Sequence, residues 1–495
     1  MRDIQPHPRA RLGAALLLAL CLTAPAAVPA QPRPAATASA SLDWPTFLGR
    51  HDLVWDRLPR DWGESVFIGN GLVGATIDGA SGMLGWTINR TDVTHDQSRF
   101  PIGRLTLKTA GALKGGTARL TLWDGEASGV VITDSGEVRW RSFVARTPSV
   151  TVVELEGRGG ERAPALDWAP AEARPPRKIA RKEPFAPEDL HPAPAISRSA
   201  REIVSVQSFI GGDAHAEVIR EASRTGTRAA YHLAIGFARD SAGALAEARR
   251  ATTASGRAGT TSLAAANRAW WHAYYPASFL SFPDRRLEGY YWIQIYKLGA
   301  AMRADGPILD LAGPWYRQTP WPGIWWNLNI QLTYSPLFRA NRLELAESLF
   351  GELDRKRQAL IDNVPERLRG EAAAIGRSSG NDLVRKVDLA TAQSDAAHEM
   401  GDLPWTLYYY WLHYRYQMDD RILRDRVYPL LGRAIGNYLA YVERGADGSW
   451  HLPPTHSPEL ATVPDANYDL ALLRWGLQTL VASAEHLKID DPRLP

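Results

Sequence analysis

Cysteine is all but missing from this sequence. Its single copy among 495 residues, Cys21, lies inside the apolar run 12–22. Arg2, Arg9 and Arg11 precede or open that run, and Val28-Pro29-Ala30 follows it as a small-residue cleavage site. Residues 1–30 therefore read as a secretory signal peptide, which places the mature protein in the periplasm or outside the cell. Cleavage would remove the only thiol, so core size and not disulfides must hold the fold. An excess of charge is missing too. The net charge of +3 is too small for a nucleic-acid footprint. After signal cleavage no apolar run is long enough to cross a bilayer. Neither nucleic acid nor a membrane is an expected partner. No His, Asp and Glu cluster has ligand spacing, so no metal is expected. The glycine-rich stretch at 69–74 precedes no helical pattern, so it is no dinucleotide loop, and no cofactor is expected.

Aromatic residues are what the sequence has in plenty, with 18 Trp and 17 Tyr. Aromatic faces serve as sugar platforms and also as packing in helical rings, so the count leans towards carbohydrate. The length suffices for two or more domains. Residues 31–41 are rich in Pro, Ala and Ser and read as a flexible lead. From 42 to 240 the pattern is one of short alternating strands with Gly and Asp turns about every ten residues, a β-sandwich pattern. Asn70-Gly71 between two apolar runs marks a hairpin. Residues 158–200, rich in Pro and Arg, read as a long surface loop. At 241 the period changes to helical. Residues 241–281 form a helical linker, and 282–495 hold a series of helices. The first covers 282–304, with Leu287, Tyr291, Ile295 and Leu298 as its apolar stripe. Others are expected at 336–363, 402–418, 420–444 and 465–488. The fold class is α+β multidomain.

The stretch WPGIWWNLNIQLTYS (321–335) sets Asn327 and Asn329 in a Trp-rich run. A buried amide needs hydrogen-bond partners. If the backbone is extended, both amides share one side and can grip a sugar hydroxyl or orient a water. If a helix begins there, Asn327 is its N-cap. A second stretch, WHLPPTHSPEL (450–460), holds Glu459 on a backbone stiffened by proline. By default that glutamate is a surface charge.

Several segments resemble glycoside hydrolase family 95, the inverting α-L-fucosidases. WNLNIQLTYSPLFRANRLELAESLF is similar to the start of that family's catalytic (α/α) toroid. WDRLPRDWGESVFIGNGLVGATIDG resembles its N-terminal sandwich. WTLYYYWLHYRYQMDD carries Trp405, Trp411, His413, Tyr414, Tyr416 and Asp419 at matching positions, and Ser-Pro-Glu at 457–459 matches the acid loop. Residues 88–92, Ile-Asn-Arg-Thr-Asp, differ from the family's usual Leu-Asn-Glu and Trp at the corresponding place.

The resemblance implies a secreted glycosidase acting on an oligosaccharide or polysaccharide that bears α-L-fucose or a related L-sugar. Glu459, 130 residues after Asn329, is implied as general acid, with Asn327 and Asn329 orienting the water. Trp325, Trp326, Trp405, His456 and Asp469 are implied or expected as substrate contacts. An inverting enzyme needs two carboxyls about 6.5–9.5 Å apart. The family's base is an Asp from the later half of the toroid, so none is assigned here. The chain is expected to hold about half of the toroid's helices. Two rivals stand beside this reading. One is a toroid glycosidase or phosphorylase of other specificity, for which Arg317 is the nearby candidate phosphate ligand. The other is a sugar-binding or decayed protein without turnover.

Overall fold

The computed structural model describes residues 42–80, 82–390 and 395–492. The signal segment, Cys21 and the 31–41 lead lie outside the described residues. After a short helix α1 (Trp44–Gly49), alternation of apolar and polar residues builds two antiparallel sheets. The larger has nine strands. In spatial order these are Leu53–Trp55, Leu113–Thr121, Glu126–Thr133, Gly136–Ala145, Val150–Gly159, Arg228–Ala238, Ala214–Thr225, Glu202–Ser208 and Ala195–Arg198. The smaller has Ala165–Pro170, Gly103–Lys108, Gly85–Arg90, Val73–Asp78 and Val66–Gly69. The sheets meet through paired indoles. Trp86 of the smaller and Trp140 of the larger pack edge to face with centroids 5.8 Å apart, the geometry that the ring quadrupole favours.

The expected hairpin forms at Asn70. Its Oδ1 accepts from the backbone N–H of Leu72 and Val73 at 3.0 and 2.8 Å. Gly71 adopts φ +89, and a Cβ there would lie 2.4 Å from the Met302 carbonyl carbon. Only glycine lets this turn touch the helical region.

Residues 158–200 are not one surface loop. Ala165–Pro170 joins the smaller sheet and Ala195–Arg198 edges the larger. Between them lies helix α2 (Pro176–Arg181). The alternation Leu166-Asp167-Trp168 is real but only six residues long, and its partner strand lies about sixty residues upstream. Flanking prolines hid it.

The expected linker is also more than a connector. Helices α3 (Ser241–Ala258) and α4 (Thr260–Tyr274) pack on the larger sheet. Ala248 of α3 and Leu263 and Ala264 of α4 share a core cluster with Val152, Val218 and Ala234 of that sheet.

Helix α5 (Arg285–Ala301) begins at the Asp284 cap. Its buried face is Glu288, Trp292, Ile295 and Tyr296, while Leu287 is 57% exposed. The large rings, together with a buried glutamate, turned the helix away from the expected stripe. Glu288 is satisfied by His51 and Ser281 at 2.8 and 2.6 Å, which makes its burial tolerable. The helical series continues with α6 (Asn329–Arg339), α7 (Glu347–Arg355), α8 (Arg357–Asp362), α9 (Asp402–Gln417), α10 (Tyr428–Leu439) and α11 (Asn467–Leu487). The architecture is α+β: sheets first, then helices of the (α/α) toroid kind. No helix among the described residues is long and apolar enough to cross a membrane.

Candidate active site

Three loops converge near the starts of α6, α9 and α11, and nearly every expected site residue lies on them or in the first turn they feed. In the first loop, Ile324–Trp325 pairs with Ser378–Ser379. Trp326 is fully buried. Its backbone N–H donates to Arg377 O at 2.8 Å and its Nε1 to Ser379 Oγ at 2.9 Å. Trp326 is thus a strut beneath the site, with no face open to a sugar. Trp325 is half-buried, and the Arg177 guanidinium lies 5.9 Å from its ring centre.

The backbone between the two asparagines is not extended. Leu328 takes φ +121, so Asn327 faces the interior and Asn329 opens α6. Neither asparagine caps the helix. Leu328 holds the cap position, and Gln331 closes it, its Oε1 accepting from Leu328 N–H at 2.9 Å. Gln331 Nε2 donates to Trp326 O at 2.6 Å and to Thr406 Oγ1 at 3.1 Å.

Asn327 leads to a group of acids that sequence reasoning missed. Its Nδ2 donates to Glu399 Oε1 at 3.5 Å. The same oxygen accepts from Arg377 Nε and Nη2 at 2.8 and 2.7 Å. Glu399, Asp402 and Asp469 all have 0% exposure. Burial, and then the adjoining Glu399 carboxyl, push Asp402 well above the usual carboxylate range. Two neighbouring carboxyls in a dry site resist ionising together, and the Arg377 guanidinium faces Glu399. Tyr468 OH donates to Asp402 Oδ1 at 3.4 Å. Asp469 accepts from Tyr438 OH and Thr455 Oγ1, both at 2.6 Å. Burial pushes it up to about 6 against the pull of those two bonds.

Helices α9 and α11 meet closely here. A Cβ on Gly401 would lie 2.3 Å from the Tyr468 ring. Trp405, one turn into α9, is half-buried and packs edge to face on Tyr468 with centroids 5.7 Å apart. In sequence, Glu399-Met-Gly-Asp402 resembles ordinary acidic dressing of a helix start. The spacing of two acids across a glycine was the only local hint.

The third loop is a hairpin, Thr455–Ser457 against Ala461–Val463. Thr455 ties its base to Asp469. His456 is buried, its Nδ1 2.9 Å from Thr462 Oγ1 across the hairpin. Glu459 stands at the tip, exposed, with φ +60. Trp450 is 66% exposed and lines a groove with Leu470, Leu473 and Leu477 of α11.

A large cavity, about 1150 Å³, lies elsewhere. It is lined by Tyr290 and Tyr291 of α5, Arg339 of α6, Tyr409 and Tyr416 of α9, and Phe67 of the sandwich. Neither asparagine nor any of the acids above lines it. Volume alone does not locate chemistry, and we place the site where amide, arginine and acids converge. Arg317 lies 5.0 Å over the ring of Trp62, one of the residues that line this cavity.

The order of sheets followed by helices of the (α/α) toroid kind recurs among solved structures. A protein from the human microbiome, provisionally described as a kojibiose phosphorylase, has this fold. It superposes with a TM-score of 0.61 and 11% identity over 90% of this chain and 65% of its own. Residues 284–494 match the glycosyl hydrolase family 95 catalytic domain, and the chain is family 95-like over that region. Alpha-L-fucosidase 2 of Arabidopsis thaliana is 26% identical over 214 residues. That match spans 39% of this chain and 24% of the plant protein.

Proposed function

We propose that this protein is an exported glycoside hydrolase that cleaves α-L-fucosides, or glycosides of a related L-sugar, with inversion at the anomeric carbon. On this reading the sandwich spans 42–240, the helical connector 241–281 and the catalytic region 282–495. Residues 1–30 direct export. The observation that carries the proposal is the amide of Asn327, held by the Glu399–Arg377 pair inside the family 95-like region. A fixed amide is suited to orient a water, because its donor direction is set before substrate arrives. Glu459 protonates the leaving oxygen, and Asn329 completes the water site. Asp469 steadies the acid hairpin through Thr455. A second reading, glycan binding without turnover, is favoured by one observation, the exposure of Glu459. A general acid works best where apolar surroundings raise its pKa.

The test incubates the protein with a fucosyl-oligosaccharide and follows the product by proton NMR. Early appearance of β-L-fucose, independent of added phosphate, supports inverting hydrolysis. Formation of a sugar phosphate would replace it with the phosphorylase reading. Binding of the oligosaccharide with no product would leave the non-catalytic reading in its place.

A further inference from the structure

The proline- and arginine-rich segment between the sheets is not idle surface. Helix α2 brings Arg177 against the first site loop. Its neighbours are paired: Lys178 with Asp189, and Arg181 with Glu183 at 3.7 Å. Arg177 is not. Among the described residues its guanidinium makes one hydrogen bond, Nε to Pro320 O at 2.8 Å, and no ion pair. That bond sets the guanidinium 5.9 Å from the centre of the Trp325 ring. Among the described residues neither terminal nitrogen has a protein acceptor. Arg385, on the loop that follows Ser378–Ser379, likewise has no ion pair among the described residues. Burial, then the charges of Arg181 and Arg385, hold the Arg177 pKa below the usual range. Trp325 Nε1 is buried and has no partner among the described residues.

We infer that Trp325, Arg177 and Arg385 form a subsite for an anionic sugar unit, a ring bearing a carboxylate or a sulfate ester. This rests on the reading of the first loop as part of a glycan-binding face. An indole face takes the apolar side of a sugar ring. A guanidinium with both terminal nitrogens free takes two oxygens of one oxyanion in parallel, which an ammonium cannot do. Clustered cations repel each other, and an anion relieves that repulsion. A neutral sugar unit gains nothing from either arginine. The substrate class is therefore an acidic glycan, with the charged unit beside the bond that is cut.

The experiment is calorimetric titration of the full chain with three probes of equal length. They are an oligogalacturonate, a sulfated fucan oligosaccharide and a neutral fucosyl-oligosaccharide. At least one anionic probe should bind about 10-fold tighter than the neutral one, the value of one good charged hydrogen-bond set. Whichever binds tighter tells carboxylate from sulfate. Arg177→Gln should erase about 10-fold of that preference, and Arg177→Lys should restore only part of it. Arg385→Gln should reduce the preference too, and it keeps the test intact if loss of the Pro320 contact disturbs the fold of the first variant. Equal binding of all three probes, or a preference unchanged in both glutamine variants, overturns the subsite. Failure of the hydrolase reading looks different. In that case the arginine-dependent preference persists while no probe is cleaved. If the neutral probe is cleaved and bound as well as the others, hydrolysis stands and the subsite falls.

Discussion

The acids at the loop end of the helical region fall into two sets. Glu459 stands in water at a hairpin tip, whereas Glu399, Asp402 and Asp469 are wholly buried between α9, α11 and the first loop. Solvent gives the first many partners and no fixed geometry. Packing gives the others few partners and one geometry. Motif and burial thus point to different groups, and they report different tasks. A group that must meet a ligand stays reachable. A group that must hold a neighbour in place is best kept dry, where each hydrogen bond counts for more. Glu459 also sits in the left-handed region, which costs a non-glycine residue about 1 kcal/mol. Turn and helix-end residues such as Asp465 and Lys488 share that conformation, so it marks a tight hairpin tip.

The sharpest way to break this contrast is to neutralise the exposed acid. Glu459→Gln should lower turnover of a natural fucosyl-oligosaccharide by a factor on the order of 10²–10⁴. An activated aryl fucoside, whose leaving group needs little protonation, should lose far less. Steady-state kinetics on both substrates decide it. Equal losses on both would remove the acid role and leave Glu459 as a structural loop residue. Stability should barely change, since the side chain has no buried partner.

Removal of the buried Glu399 should do the opposite. Glu399→Ala takes away the carboxylate that faces Arg377 and leaves Asn327 without its acceptor. Loss of one partner of a buried pair costs about 3–5 kcal/mol. Arg377 is a quarter exposed, so the low end of that range is expected. Urea unfolding measures it, as a lower midpoint with unchanged slope. A loss below about 0.5 kcal/mol, typical of surface changes, would show that this network does not hold the loops.

The same contrast explains what could be read in advance. The Asn70 hairpin was legible because its cause is local: the asparagine caps its own turn. Helices α9 and α11 were legible as long runs with no proline beyond the first turn, with Gly401 just before α9. The strand Ala165–Pro170 was not, because its pairing with Gly103–Lys108 is remote in sequence. The orientation of α5 was missed because a satisfied glutamate, Glu288, can sit inward. Asn327 and Asp469 could be named from motifs, but the extended geometry assumed between the asparagines fails at Leu328. Glu399 and Asp402 were invisible for a physical reason. Acids at a helix start suit the dipole wherever they point, and only the close approach of α11 at Gly401 turns them inward.

A last effect isolates burial from contact. Asp469 titrates near 6 in the fold and near 4 when unfolded. The folded protein therefore holds a proton that the unfolded chain releases between those values. By linkage, stability falls as pH rises through that window. The contribution is fully present below pH 4 and lost above about 6, and it is worth on the order of 3 kcal/mol. Asp402, raised by burial and by Glu399, acts in the same direction. Tyr438, Tyr468 and Thr455, which face these acids, stay neutral throughout the window. Carboxylates with lowered values, such as Glu347 near 2, act oppositely, and most of their change falls below about pH 4.5. Asp469→Asn removes one titrating group while keeping an acceptor for one hydroxyl and a donor in place of the other acceptor. The variant should be less stable than the parent at pH 4.5, through the altered bonds to Tyr438 and Thr455. The gap should narrow as pH rises to 7, because the parent loses the Asp469 contribution there in addition to whatever both proteins lose through Asp402. Melting curves of both proteins at half-unit steps from pH 4.5 to 7 test this. A gap that stays constant across the range would mean that Asp469 is ionised throughout, with its two hydroxyl partners and not its burial in control.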